Sequence, residues 1–260
     1  MAVTCTSGGT GADTQRLERS ASVISANAAY TMMGWVKFTS DTNNYAHVFH
    51  LGGTFSYDGI TDALGTDSDG TTRRASCVGG TASQTPTSGS FTANVWIHLA
   101  MVRESTTSLK FYADGAEITG LACSSDVGSR TATSLMTFLN YNQFALAGKM
   151  ADVKAWASAL NSTEVGTEMG SKAPVKASPW GYWPMDGGTL NDCLVDSSGN
   201  SRNLSHAGAT GNVVDVDGDY PTFATNATGS AIGAAGTGQI GTLIIAPRPP
   251  PPYTVTTVTG

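Results

Sequence analysis

The stretch Trp96–Gly120, WIHLAMVRESTTSLKFYADGAEITG, constrains the fold of this chain more than any other. Two runs rich in β-formers, Trp96–Arg103 and Leu109–Tyr112, flank the polar connection Glu104–Ser108. The pair Asp114-Gly115 then leads into Ala116–Thr119. Asp-Gly between apolar runs is a strong hairpin signal, because both residues tolerate the positive φ that such turns need. Nearly every residue of the first run is apolar, so the reading is a strand buried on both faces. In the second, Leu109, Phe111 and Ala113 alternate with Lys110, Tyr112 and Asp114, the pattern of a strand with one wet face. A central strand beside a half-exposed one makes the middle of an antiparallel sheet.

Two further stretches extend this pattern in order. Upstream lies Tyr30-Thr-Met-Met-Gly-Trp-Val-Lys-Phe38. Downstream lies Leu146-Ala-Gly-Lys-Met-Ala-Asp-Val-Lys-Ala-Trp-Ala-Ser-Ala-Leu160, followed by a helix from Thr163 to Met169 capped by Asn161 or Ser162 and ended by Gly170. With the central hairpin, these stretches resemble the signature of laminin-G-like, concanavalin A-like jelly-roll domains. That resemblance implies an all-β, two-sheet antiparallel sandwich, with Trp35, Trp96, Leu99, Met101, Phe111 and Val153 buried between the sheets.

The chain divides into three parts on this reading. Residues 1–172 form the laminin-G-like sandwich. Residues 173–225 are an extension packed on or beside it, marked by Trp180-Gly-Tyr-Trp-Pro-Met-Asp186 and Leu194-Val-Asp-Ser-Ser-Gly-Asn200. Residues 226–260 are a Gly/Ala- and Pro-rich C-terminal arm. Four consecutive prolines, Pro249–Pro252, hold that arm in extended polyproline II. Pro249, Pro250, Tyr253, Val255 and Val258 are the expected assembly residues, because Tyr253–Val258 offers an unpaired strand to a neighbour's sheet edge. The order of sandwich, W-P-x-D and D-x-S-G-N stretch and proline-rich tail resembles proteins of tailed-phage particles.

Composition narrows the function classes. The formal charge is −6, and the basic residues stand singly apart from Arg73-Arg74. Nucleic acid is therefore not an expected partner, since binding it needs clustered phosphate-neutralising cations. No stretch reaches the roughly 18 apolar residues of a membrane helix, so membrane insertion is not expected either. The first residues, MAVTCTSGGTGADTQ, lack the charged and apolar regions of a secretory signal. The four cysteines, Cys5, Cys77, Cys123 and Cys193, show no metal-ligand spacing and read as reduced, buried residues; a Cys77–Cys123 bridge stays open.

Catalytic patterns are missing from the sequence. Jelly-roll glucanases, similar in fold, carry E-x-D-x-x-E on one strand; Glu18, Glu104, Glu117, Glu164 and Glu168 do not form it. There is no G-x-S-x-G elbow and no H-E-x-x-H. His47 and His50 lie three apart on one strand and so face opposite ways, and His98 reads as a core residue. Calcium is the one cofactor candidate, through Asp215, Asp217 and Asp219, which alternate around Gly218. Carbohydrate is the ligand that the fold suggests, with Tyr57, Asp58, Asn140, Tyr141, Asn142 and Gln143 as rim candidates. The expected function is a non-enzymatic virion structural protein, a capsid decoration or attachment protein of a tailed phage. Its partners would be copies of itself, other virion proteins and surface glycans, and it would reside in the virion. The alternative is a cellular lectin-like carbohydrate-binding module.

Overall fold

A computed structural model describes residues 2–5, 16–19, 24, 28–39, 47–52, 61–66, 73–76, 92–105, 107–123, 135–138, 140–141, 144–145, 148–207, 214–225 and 231–234. The candidates Tyr57, Asp58, Asn142 and Gln143 lie outside the described residues, as do Pro249, Pro250, Tyr253, Val255 and Val258 of the arm.

In chain order the strands begin with β1 (Ala2–Cys5), β2 (Arg16–Arg19), β3 (Tyr30–Phe38), β4 (His47–Gly52), β5 (Thr61–Thr66) and β6 (Arg73–Ser76). The central hairpin follows as β7 (Trp96–Ser105), β8 (Ser108–Ala113) and β9 (Ala116–Cys123). Then come β10 (Leu135–Phe138), β11 (Asn140–Tyr141), β12 (Phe144–Ala145), β13 (Gly148–Trp156) and helix α1 (Ser162–Met169). The extension supplies β14 (Gly181–Trp183), α2 (Leu190–Cys193), β15 (Ser205–Ala207), β16 (Val214–Asp217) and β17 (Thr222–Thr225), and the start of the stretch read as an arm adds β18 (Ala231–Ala234), antiparallel to β17. The larger sheet runs β16-β1-β13-β3-β7-β8-β9 and the smaller β15-β2-β10-β4-β5-β6, with antiparallel neighbours throughout the described strands.

The Asp114-Gly115 turn forms as its sequence demands. Both residues take positive φ, +48° and +78°, and Ala113 pairs with Ala116 across a two-residue loop. The Asp114 carboxylate also accepts a hydrogen bond of 2.9 Å from the His98 backbone N–H. Helix α1 starts at the Asn161 cap, whose side chain accepts from the Glu164 N–H while Glu164 reaches back to the Asn161 N–H.

Alternation along the strands decides the layers. Met32, Val36 and Phe38, Ile97, Leu99 and Met101, Leu109 and Phe111, Met150 and Val153 face inward and meet Leu17, Phe49 and Leu51 of the smaller sheet. Each such side chain contributes about 1.5–3 kcal/mol on burial. Gly34 permits the approach of β3 to β13, since a Cβ there would stand 3.0 Å from the Val153 Cγ2.

One expectation is corrected here. Trp35 and Trp96 are buried, but on the outer face of the larger sheet, in a cluster with Ala2 and Ala151 covered by Met169, Tyr220 and Phe223. Odd and even positions of a strand point to opposite faces. Trp35 therefore cannot share the inner face with Val36, nor Trp96 with Ile97. Likewise Tyr112, read as wet, is buried with Val102, Met33, Trp156 and Val165 beneath α1.

Candidate functional site

The outer face of the larger sheet is closed by residues that follow the sandwich, and its chemistry begins at a bulge in β13. The pairing with β3 slips between Ala151 and Lys154, and Asp152 takes φ +50°. Before the bulge, β13 pairs with β1; after it, the same edge pairs with β14, Val153 against Trp183. The Asp152 N–H, turned out of the ladder, donates to the Pro184 carbonyl at 3.0 Å. The W-P-x-D stretch is thus a strand of the sheet, with Trp180, Trp183 and Met185 built into the main core.

The D-x-S-G-N stretch holds that strand in place. The Asp196 carboxylate accepts from the backbone N–H groups of Tyr182, Ser198 and Arg202 at 2.8–3.0 Å and from the Ser198 hydroxyl. Burial opposes its charge, yet these donors together hold its carboxyl below the ordinary value. Gly199 turns at φ +86°, and the Asn200 amide then donates back to the Pro179 carbonyl at 2.9 Å. The Arg202 guanidinium lies 4.5 Å from the Trp180 ring centre. The side chains of Asp196, Ser198 and Asn200 are all engaged within the extension.

Beneath α1 sits an ionic cluster with almost no exposure: Lys154 at 1%, Asp152 at 2% and Glu168 at 1%. The Lys154 ammonium lies 3.2 Å from Asp152 and 3.7 Å from Glu168, and it donates to the Glu168 and Ser171 carbonyls. Glu168 in turn accepts from the N–H groups of Val175 and Lys176. Burial pushes Asp152 up to about 7, with Lys154 and the Tyr182 hydroxyl pulling the other way. Nearby His98 is pushed down to about 3, by burial first and then by Lys154, and is neutral. It stacks edge-on against Trp35 at 5.5 Å, in agreement with its reading as a core residue. Lys154 and Asp152 were not among the candidate residues; charges inside the apolar run 150–156 were the available signal.

The three candidate calcium ligands divide between two settings. Asp215 and Asp217 belong to β16, opposite Thr4 and Ala2 of β1. Asp219, just beyond, is engaged by protein groups. Its Oδ2 accepts from Lys37 at 2.7 Å and Lys149 at 2.9 Å, and its Oδ1 from the Trp96 indole N–H at 3.1 Å. Burial works against its charge, but these donors outweigh it and hold the carboxyl far below the usual range. Among the described residues no three His, Cys, Asp or Glu side chains are grouped as a metal would require.

The rim candidates Asn140 and Tyr141 form β11, which pairs with β12 as Asn140 to Ala145 and Tyr141 to Phe144. β11 is set against β2, β4 and β10 of the smaller sheet. Four of the five glutamates are paired with basic side chains: Glu18 with Arg16, Glu104 with Lys110, Glu164 with Lys176 and Glu168 with Lys154. His50 is buried. Cys193 is a free thiol in the core, pushed up by burial. Among the described residues no helix is long and apolar enough to cross a membrane.

Among solved structures, a Bacteroides ovatus protein provisionally assigned as carbohydrate-binding superposes with a TM-score of 0.54 at 15% identity, over 82% of this chain and 60% of its own. A heptameric SAP-like pentraxin from Limulus polyphemus superposes with a TM-score of 0.50 at 15% identity, over 80% of this chain and 95% of its own. A sialidase from Trypanosoma rangeli reaches a TM-score of 0.45 at 14% identity, over 54% of this chain and 22% of its own. At these identities the likeness is one of fold. No curated protein matches by sequence. The family profile described as the Concanavalin A-like lectin/glucanases superfamily matches residues 9–166. The match spans well over half the chain and includes both the central hairpin and the β13–α1 closure, and on that ground this chain belongs to the concanavalin A-like lectin/glucanase superfamily.

Proposed function

We propose that this chain is a non-catalytic carbohydrate-binding module whose glycan site lies at the β11–β12 end of the smaller sheet. The observation that carries the reading is the ribbon itself. Its first strand, β11, carries Asn140 and Tyr141 against the second sheet, and Asn142 and Gln143 are proposed to join them, while the outer face of the larger sheet is taken up by α1 and the extension. An aromatic ring beside carboxamide groups suits a sugar, which offers an apolar face and a rim of hydroxyls. Tyr57 and Asp58 are proposed to join this site. The Bacteroides ovatus protein of similar fold, provisionally assigned as carbohydrate-binding, supports the ligand class. The pairing of four glutamates with basic side chains supports a binding role over hydrolysis, which needs two available carboxyl groups. A glycan array on the full chain tests the reading. Defined glycans should bind and be lost with Tyr141→Ala at unchanged melting temperature; an array blank for the folded protein overturns it.

A second reading concerns where the module works. The order of sandwich, W-P-x-D and D-x-S-G-N stretch and proline-rich arm favours a tailed-phage particle, with the module as a decoration or attachment protein. Residues 247–260 would then join subunits. Their deletion should leave the melting temperature nearly unchanged and abolish self-association in light scattering. A truncated protein that associates as the full chain does would remove the arm from assembly.

A further inference from the structure

Lys149, Lys37 and Trp96 stand in one cross-strand row: Lys149 pairs directly with Lys37, and Lys37 with Trp96, across β13, β3 and β7. Directly opposed like charges destabilise a sheet unless an anion lies between them. Here the anion is Asp219, received by two ammonium groups on one oxygen and an indole N–H on the other. Three neighbouring strands fix the donors, whereas the acceptor comes from a segment outside the strands. Gly218, just before it, is exposed, and nothing would crowd a Cβ there. The lysine side chains are about one-fifth exposed and Asp219 is 33% exposed, so the site opens to solvent on one side.

We propose that Lys37, Lys149 and the Trp96 indole form a carboxylate-binding subsite for acidic sugars, which Asp219 occupies as a built-in competing ligand. The inference rests on the reading of the chain as a carbohydrate-binding module, but it uses a different face from the β11–β12 ribbon. A hexuronate fits the donor set: its carboxylate reproduces the two oxygens of Asp219, and its ring extends toward the exposed side. Release of Asp219 needs rotation of one side chain after a glycine, and Tyr220 can stay anchored on the Pro184 carbonyl. The apparent affinity of the native chain is then reduced by the fraction of time that Asp219 is away.

Titration of the full chain and of Asp219→Ala with D-glucuronate, D-glucose and acetate, by calorimetry at fixed ionic strength, tests this. Asp219→Ala should bind glucuronate at least roughly tenfold more tightly than the native chain, a gap of about 1.4 kcal/mol. It should discriminate against glucose, and Lys149→Met in that background should abolish binding. Equal response to glucose or acetate, or binding that survives Lys149→Met, overturns the acidic-sugar subsite. Asp219→Asn, which retains one acceptor, serves if the alanine variant does not fold, and no gain of glucuronate affinity in it overturns the proposal equally. Glycan recognition lost with Tyr141→Ala and untouched by Asp219→Ala separates the two sites, so either can fail alone.

Discussion

Replacing Lys154 by Met should be among the most damaging single changes in this chain, and its cost should depend on pH. The ammonium satisfies the Glu168 and Ser171 carbonyls and lies 3.2 Å and 3.7 Å from two carboxylates that water does not reach. Methionine fills the aliphatic volume but leaves Asp152 and Glu168 facing each other without a cation. Breaking a buried ion pair by removing one partner costs about 3–5 kcal/mol. In a domain of this size each kcal/mol moves the midpoint by about 2–4 °C, so the melting temperature should fall by roughly 6–20 °C.

The pH arm fixes the cause. Asp152 holds its proton more tightly when folded, up to about 7, than its ordinary value of 3.8. Its contribution to stability is therefore fully present below the ordinary value and is lost as pH rises through about 7. Without Lys154 the carboxyl stays protonated to still higher pH, so the variant loses less at pH 5 than at pH 8. Adding Asp152→Asn should recover part of the loss at pH 8 and little at pH 5. Paired thermal and urea melts at both values measure this. A drop in melting temperature of equal size at both pH values, or none at all, would refute the reasoning that links the cluster to stability.

Other changes follow from the same geometry. Trp96→Ala should cost about 3–5 kcal/mol, because the ring fills the outer-face cluster and its N–H is bound to Asp219; an unchanged urea midpoint would contradict that burial. Gly148→Ala should reduce the yield of folded protein, since its Cβ would stand 2.3 Å from the Lys37 carbonyl oxygen in the β13–β3 ladder; a normal melt would show that the strands separate there at little cost. Added calcium and chelator should both leave the melting temperature unchanged, because Asp219 is already balanced by two ammonium groups; a rise with calcium would return the Asp215, Asp217 and Asp219 stretch to consideration as its site.

The elements that sequence revealed are those in which local and global preferences agree. The Asp114-Gly115 turn needs two positive φ values and its residues supply them. The Asn161 cap and Glu164 state the helix start on their own. The run Trp96–Arg103 is buried throughout because both faces of β7 are covered, as its continuous apolarity requires. What alternation could not show was which layer lies on each side. Trp35 and Trp96 have the size and apolarity of residues between two sheets, yet the strand period places them opposite Val36 and Ile97, against a cover drawn from residues far along the chain. Lys37, Lys149 and Asp219 were opaque for a similar reason. Nothing local pairs a lysine on β3 with one on β13, or either with a carboxylate beyond β16; only the register does.

The family profile ends at residue 166, but the physical unit does not. Three observations extend it. β14 completes the edge of β13 that β1 leaves open after the bulge, so cutting the chain after α1 would strip hydrogen bonds from the centre of the larger sheet. Trp180, Trp183, Met185 and Leu204 share the main core with Leu99 and Phe111, and their removal would leave a cavity rather than a smooth surface. Lys154 is neutralised from one side by Glu168 and held from another by the Ser171 carbonyl, so a sandwich without its extension would bury an ion with half its partners. The W-P-x-D and D-x-S-G-N stretches are therefore structural parts of the sandwich: the first is a strand and its anchor, the second the loop that holds that strand in place. A sandwich finished this way has the outer face of its larger sheet committed to its own chain. On the proposed reading, glycan recognition would then fall to the β11–β12 ribbon of the other sheet and, on the outer face, to the one place where an acidic ligand would compete with the chain's own Asp219.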